Sequence, residues 1–134
     1  MPPALSPEHA LAYVRELSAD VRAVAVLDAA GALLAGDAEV ARAAAPLLRE
    51  GAELEAVRAH GVVCVARDDQ HAIVAACGQF ALPGVVRSDL RAALGGLRGG
   101  PPVPPVAASP AGAPTAVGAA ADAVISAAQR APDT

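Results

Sequence analysis

The sequence predicts an α/β domain of the α+β type, in which a single five-stranded antiparallel sheet carries helices on both faces. Apolar residues make up 54% of the 134 residues, which is enough for one packed core. Five short apolar or alternating runs, bounded by turn residues, predict strands, and three stretches with apolar residues at helical spacing predict helices. Their order is helix, strand, strand, helix, strand, strand, strand, helix, followed by a Pro/Ala-rich tail.

The first helix is predicted from its start signal, Ser6-Pro7-Glu8. Ser6 is suited to cap the helix, Pro7 to occupy its first turn, and Glu8 to interact with the positive end of the helix dipole. Apolar residues then follow at helical spacing, at Ala10, Val14, Leu17 and Val21. We expect this helix to end near Asp20.

The next segment, "VRAVAVLDAAGALLAG", predicts a hairpin. The middle of its first run is apolar at every position, which is typical of an interior strand covered on both faces. Asp28 and Gly31, at the first and fourth positions of "DAAG", form a type I turn pattern. The following "ALLAG" is the shorter return strand.

The second helix is predicted over "AEVARAAAPLLRE", with Asp37 as its N-cap and Gly51 as its C-cap. Pro46 removes one backbone hydrogen bond, so we expect the helix to break or bend there. The apolar stripe of this helix consists of Val40, Ala43, Ala44, Leu47 and Leu48.

Three strands complete the sheet. "ELEAVRAHG" alternates loosely and is polar, which indicates an edge strand. "VVCVARDDQHAIVAAC" predicts two apolar strands around Asp68-Asp69. In that register Cys64 faces Ile73, and Cys77 lies two same-face positions further along. Their separation of about 13 Å is too long for a disulfide, and we expect two buried thiols.

The last helix of the domain is predicted to begin near Pro83, with the apolar face Val86, Leu90, Ala93, Leu94 and Leu97. The composition changes at residue 99, because the remainder holds seven of the twelve prolines and three charged residues. We therefore assign residues 1–99 to the domain and residues 100–134 to a mostly disordered tail with a possible weak helix over 115–129. Removing the tail is expected to leave the fold intact.

Composition and charge exclude several classes of function. The net charge is −4, the ten basic residues are scattered arginines, and the aromatic residues are one Phe and one Tyr. Such a chain lacks the basic patch and stacking platform that nucleic-acid binding needs. No apolar run approaches the roughly 20 residues of a membrane-spanning helix, and the first residues do not form a signal peptide. We expect a cytoplasmic protein.

The sequence offers no catalytic, cofactor or metal signature, so we expect none of these sites. Phosphate loops, nucleophile elbows and zinc motifs are missing from it. The acidic residues Glu50, Glu53 and Glu55 are expected on a solvated face. Surface positions are also expected for the three histidines, His9, His60 and His71.

The order of elements, the "VAVLDAAGALLAG" hairpin, the acid-capped "DAEVARAAAPLL" helix and the segment "VVCVARDDQHAIVAACGQFALPGVVRSDLRAAL" resemble the Roadblock/dynein light chain family of the profilin-like group. The resemblance covers about residues 6 to 98. It implies a non-enzymatic scaffold or regulator that dimerises with itself or with a sister Roadblock-like protein, and that in prokaryotes often partners a small Ras-like GTPase. Pro46 departs from the uninterrupted second helix of that family.

In the dimers of this family the second helices and third strands of the two copies meet. Carried over to this sequence, the resemblance implies an interface formed by Val40, Ala44, Leu47, Leu48, Leu54 and Val57. Arg87 and Arg91, on the polar side of the last helix, are expected to face solvent, with contact to a protein partner as the alternative. A small-molecule sensory module of PAS or GAF type is the alternative function, although such modules usually contain more aromatic residues.

Overall fold

The structure, a computed structural model of the chain, describes residues 6–17, 20–49, 53–98 and 115–130. The helices are α1 (Pro7–Leu17), α2 (Ala38–Ala44), α3 (Pro83–Arg98) and α4 (Thr115–Arg130), and a single 3₁₀ turn spans Leu47–Arg49. The strands are β1 (Val21–Asp28), β2 (Leu33–Gly36), β3 (Glu53–Arg58), β4 (Gly61–Arg67) and β5 (His71–Cys77).

The five strands form one antiparallel sheet in the order β2-β1-β5-β4-β3. The predicted fold class is therefore confirmed. β1 lies between β2 and β5, and its residues 23–27 are buried in succession. This matches the two-sided burial that its continuous apolar run predicts.

The β1–β2 turn depends on an aspartate and a glycine. The Asp28 carboxylate accepts hydrogen bonds from the N–H groups of Ala30 and Ala32, both at 2.9 Å. Gly31 has φ +90°, in the region that residues with a Cβ rarely adopt, and its N–H donates to the carbonyl of Asp28 at 3.0 Å. The "DAAG" pattern thus forms the tight turn that it predicts.

Two hydrophobic layers cover the two faces of the sheet. We call the side covered by α1 and α3 the α3 face, and the side covered by α2 and α4 the α4 face. The α3 face contains apolar residues of both helices and of the sheet, among them Val14, Val26, Ile73, Val86 and Leu90. The α4 face contains Val40, Leu47, Val65, Val74 and Val124, with many alanines between them.

The second helix ends where Pro46 predicts a break. The Asp37 carboxylate caps it by accepting from the N–H groups of Glu39 at 2.9 Å and Val40 at 3.1 Å. Regular helix stops at Ala44, and the chain resumes as the 3₁₀ turn Leu47–Arg49. The predicted C-cap, Gly51, lies outside the described residues.

The register of the β4–β5 hairpin differs from the prediction by two residues. Cys64 pairs with Ala75 and not with Ile73. The Asp68 carboxylate accepts from the N–H groups of Gln70 and His71 at 2.8 Å each, which centres the turn one residue later than Asp68-Asp69.

The two cysteines are consequently closer than expected. Cys77 lies one same-face position beyond Ala75, so it is a diagonal neighbour of Cys64. Diagonal Cβ atoms are about 7–8 Å apart, which still exceeds disulfide geometry. Both cysteines are free and buried.

The chain beyond residue 99 contributes a helix to the α4 face. The weak helix expected over 115–129 is present as α4, Thr115–Arg130. It packs against α2, β3 and β4, and its buried residues are Ala120, Ala121, Val124, Ile125, Ala127 and Ala128. The domain boundary at residue 99 stays a prediction, but the core of the sheet includes residues from both sides of it.

Candidate functional site at the β3 edge

β3 is an outer strand of the sheet, hydrogen-bonded to β4 on one side. In the part of the chain that the structure describes, no strand lies along its other side. An antiparallel strand has backbone N–H and C=O groups that point alternately to its two sides, so the outer side of β3 presents free donors and acceptors. Such an edge is a ready template for another strand.

The side chains of β3 alternate between the two faces. Leu54 and Ala56 join the core of the α4 face and are 7% and 9% exposed. Glu53 and Glu55 lie on the α3 face, opposite Ala66 and Cys64 of β4. Val57, at the end of the strand, is 67% exposed. The edge is therefore buried along both faces at its start and open to solvent at its end.

An ion-pair network joins β3 to α3. Glu53 Oε1 lies 3.7 Å from Arg87 Nη1, and Glu53 Oε2 lies 3.3 Å from Arg91 Nε. Arg87 Nη2 lies 3.4 Å from Glu55 Oε1. The Glu53 side chain is only 6% exposed, against 19% for Arg87 and 35% for Arg91. A carboxylate this buried requires paired charge, and two guanidinium groups supply it.

This network corrects two sequence predictions. Glu53 does not belong to a solvated face, and Arg87 and Arg91 pack over β3 instead of facing solvent. The spacing of these acids and arginines in the sequence is a signal for such a network. Acids at i and i+2 lie on one side of a strand, and arginines at i and i+4 lie on one side of a helix. Glu50, the third acid of the predicted cluster, lies outside the described residues.

A second charged contact ties β3 to α4. Arg58 donates from Nε and Nη2 to the two carboxylate oxygens of Asp122, both at 2.9 Å. The hydrogen bond from Arg58 lowers the pKa of Asp122, and the same bond raises the pKa of Arg58. Both side chains are exposed, at 38% and 55%. Because the sequence prediction set α4 apart from the domain, it gave no reason to pair these residues.

A patch of exposed apolar side chains lies at the start of α3. It consists of Phe80, Leu82 and Val85, which are 89%, 67% and 51% exposed, and we call it the 80–85 patch. The loop that carries it is fixed to the sheet, because Gln79 Nε2 donates to the Ala59 carbonyl at 3.1 Å and the Phe80 N–H donates to Asp20 Oδ2 at 3.1 Å. Exposed apolar groups of this size on an anchored loop are typical of interaction surfaces.

Comparison with solved structures identifies a related fold. The chain is similar to a Roadblock/LC7 domain from Streptomyces avermitilis, with a TM-score of 0.56 and 9% identity over 71% of this chain and 97% of that chain. The fold is Roadblock-like. No protein-family model matches the sequence, and no curated protein matches it. This chain also has residues beyond the shared Roadblock-like fold, because 71% of its length accounts for nearly all of the other domain.

Within this Roadblock-like fold, most of the predicted interface residues are covered by the chain itself. Val40, Ala44 and Leu47 are fully buried, and Leu54 is 7% exposed. Leu48 is half-buried, and Val57 alone of the six is exposed. The interface stays a prediction, and self-association through the buried members requires that something on the α4 face moves.

The sheet contains two cysteines, and both of their thiols are buried. Burial raises the pKa of both Cys64 and Cys77 to about 12, so each thiol is protonated and unreactive at neutral pH. Among the residues that the structure describes, no three metal-binding side chains come together. No helix in the same ranges is long and apolar enough to cross a membrane.

Proposed function

We propose that this chain is a non-catalytic scaffold or regulator that pairs through its β3 edge with a second copy, or with a sister Roadblock-like protein, and partners a small Ras-like GTPase in the cytoplasm. The observation that carries this proposal is the open outer strand β3 in a Roadblock-like fold. Antiparallel pairing of two β3 strands would join two five-stranded sheets into one and satisfy the free backbone groups of both edges.

The charges on β3 favour pairing centred on Ala56 over pairing centred on Leu54 or on Glu55. A two-fold axis at Ala56 places Glu55 of each copy opposite Val57 of the other. An axis at Leu54 would instead place Glu53 opposite Glu55 twice, and like charges directly opposite each other are destabilising. An axis at Glu55 would place the two copies of that carboxylate face to face. The register centred on Ala56 therefore brings no carboxylates together.

Substitution of Val57 tests the pairing without disturbing the core, because this side chain is 67% exposed. In the register centred on Ala56, a glutamate at position 57 would lie opposite Glu55 of the other copy twice, and like charges directly opposite each other are destabilising. We expect Val57→Glu to raise the dimer dissociation constant at least tenfold in sedimentation equilibrium. The buried positions Val40 and Leu47 are unsuitable, because charged residues there would disrupt the fold itself.

Val85→Glu is the matched control, since it places the same charge at an exposed apolar position on α3. It is expected to leave self-association unchanged. If wild type, Val57→Glu and Val85→Glu have the same mass at every concentration, pairing through β3 is wrong.

The 80–85 patch is the surface that we propose for the GTPase, because it leads into α3 and its residue Val85 lies in that helix, which also carries the predicted contact residues Arg87 and Arg91. Small Ras-like GTPases of the source organism, loaded with GDP or with a non-hydrolysable GTP analogue, would be titrated against wild type and both variants. We expect Val85→Glu to weaken binding and Val57→Glu to retain it. Absence of binding to any such GTPase in either nucleotide state would contradict this part of the proposal.

A further inference from the structure

The α4 face raises a problem for self-association, because α4 already occupies it. This inference rests on the proposed function. α2 and the apolar side of β3 form the surface that the family resemblance assigns to the second copy, yet α4 packs on both. The side chains of Val40, Ala44 and Leu47 are fully buried within one chain. A second copy cannot pack against the side of α2 that α4 occupies while α4 is in place.

The packing of α4 is built largely from small side chains. Within residues 119–129 of α4, six residues are buried, of which four are alanines and Val124 and Ile125 are the larger two. Small side chains bury little apolar area each, so each contributes little free energy. The outer side of α4 is polar or small, with Ala119, Asp122, Ala123, Ser126 and Gln129 exposed. α4 therefore covers an apolar face, and its own outer side exposes polar or small side chains to solvent.

The charged contact of α4 is made with the edge strand itself. Asp122 is held by Arg58, the last residue of β3, in a two-pronged hydrogen-bonded pair. Both side chains are well exposed to water. Exposed ion pairs contribute little to stability. This pair therefore orients α4 on the sheet but contributes little of the free energy that holds it there.

The connection to α4 is long enough for it to leave its site. Sixteen residues separate Arg98 at the end of α3 from Thr115 at the start of α4, and the two helices lie on opposite faces of the sheet. A chain of this length spans up to about 55 Å, several times the roughly 10 Å spacing of packed layers. Release of α4 therefore does not require α3 to leave its own face of the sheet.

We propose that α4 is an internal competitor for the self-association surface: when docked it covers α2 and the apolar side of β3, and when released it uncovers them for a second copy of this chain. The second copy is favoured as the occupant because the covered surface is continuous with the open β3 edge. The same copy can thus use the edge and the uncovered face together. The apparent affinity of self-association is then lowered, because the chains that can bind a second copy on this face are those in which α4 is released.

Ala123→Pro provides the test, because residue 123 is exposed and lies inside α4. Proline removes a backbone hydrogen bond and clashes with the preceding turn, so it disrupts α4 while every buried side chain is retained. Ala123→Gln is the matched control at the same exposed position. Hydrogen exchange of the α4 amides in the full chain verifies that Ala123→Pro releases the helix and that Ala123→Gln does not.

The dimer dissociation constant is then measured by sedimentation equilibrium. We expect Ala123→Pro to tighten self-association about tenfold or more relative to both wild type and Ala123→Gln. Val57→Glu added to Ala123→Pro separates specific pairing from aggregation, because the repulsion from Glu55 of the other copy should reverse the gain. Asp122→Arg is also expected to lower the dimer dissociation constant, by a smaller factor than Ala123→Pro. Ser126→Arg is its control.

The outcomes separate this inference from the proposed function. If Ala123→Pro exposes α4 but associates no more tightly than a dimeric wild type, the competition is wrong and pairing through β3 stands. A gain that Val57→Glu fails to reverse also overturns the inference, since the added association is then not through β3. If wild type and Ala123→Pro are both monomers at the highest concentration, both proposals fail.

Discussion

The two faces of the sheet are covered by helices of different character. On the α3 face, α1 and α3 are regular helices that lie beside the sheet through short connections, and they carry leucine and valine into the core. On the α4 face, α2 is short and interrupted, and the remaining cover comes from an alanine-rich helix across a sixteen-residue connection. We expect α1 and α3 to stay packed on the sheet under native conditions, whereas α4 can separate from it.

The largest difference is expected from removing a core side chain on the α3 face. Leu90 is fully buried there, and Leu90→Ala should lower the free energy of unfolding by about 3 kcal/mol, within the range for buried leucines. The whole domain should lose this stability, because α3 unfolds only with the sheet. Urea unfolding followed by circular dichroism measures the loss, and a decrease below about 1 kcal/mol would show that this face is loosely packed.

Glu53→Gln is expected to have the next largest effect. The amide keeps the shape of the side chain but leaves Arg91 without its carboxylate partner. We expect a loss of about 2 kcal/mol, below the range for a fully buried pair because both arginines retain access to water. Glu55→Gln is the control and should lose less, since Glu55 is 33% exposed. Equal losses in urea unfolding would contradict the central place of Glu53 in the network.

Val124→Ala probes the α4 face. Val124 is fully buried in α4, and the loss of two methyl groups should cost about 1.5 kcal/mol. In contrast to Leu90→Ala, the effect should be local. The amides of α4 should exchange faster with deuterium, while those of β5 should keep their protection. Uniform acceleration across the sheet would mean that α4 does not open separately.

Acid should weaken the docking of α4 by a small amount. The hydrogen bond from Arg58 lowers the pKa of Asp122 in the folded chain. The contribution of the Arg58–Asp122 pair to the docking of α4 is therefore fully present above the ordinary carboxyl pKa near 4. It is lost as the pH falls through the lower pKa that Asp122 has in the folded chain. Exchange of the α4 amides should accelerate over that acidic range in wild type. Asp122→Asn should lack this step, and an identical pH profile in the variant would rule out the pair as its cause.

The same contrast explains what the sequence could predict. Ser6 and Pro7 mark the start of α1, the period of Leu90 and its neighbours marks α3, and the "DAAG" turn marks the first hairpin. These are local signals, written within a few residues of each other. They were sufficient for the sheet, for the α3 face and for the Roadblock-like resemblance.

The remainder depends on contacts between distant residues. A two-residue shift in register leaves the same side chains on the same face, so the apolar pattern could not distinguish Ala75 from Ile73 as the partner of Cys64. The pairs Glu53–Arg87 and Arg58–Asp122 join residues 34 and 64 positions apart. Alanine-rich segments carry little periodic signal, so the place of α4 in the core was not visible beforehand.

Hydrogen exchange of the full chain over a range of concentrations tests the central claim most directly, because it reports on β3 and α4 in one experiment. We predict that the outer amides of β3 gain protection as the concentration rises through the dimer dissociation constant, while the amides of α4 lose protection over the same range. If the protection of β3 is independent of concentration from the micromolar to the millimolar range, its edge does not pair and the proposed scaffold is wrong.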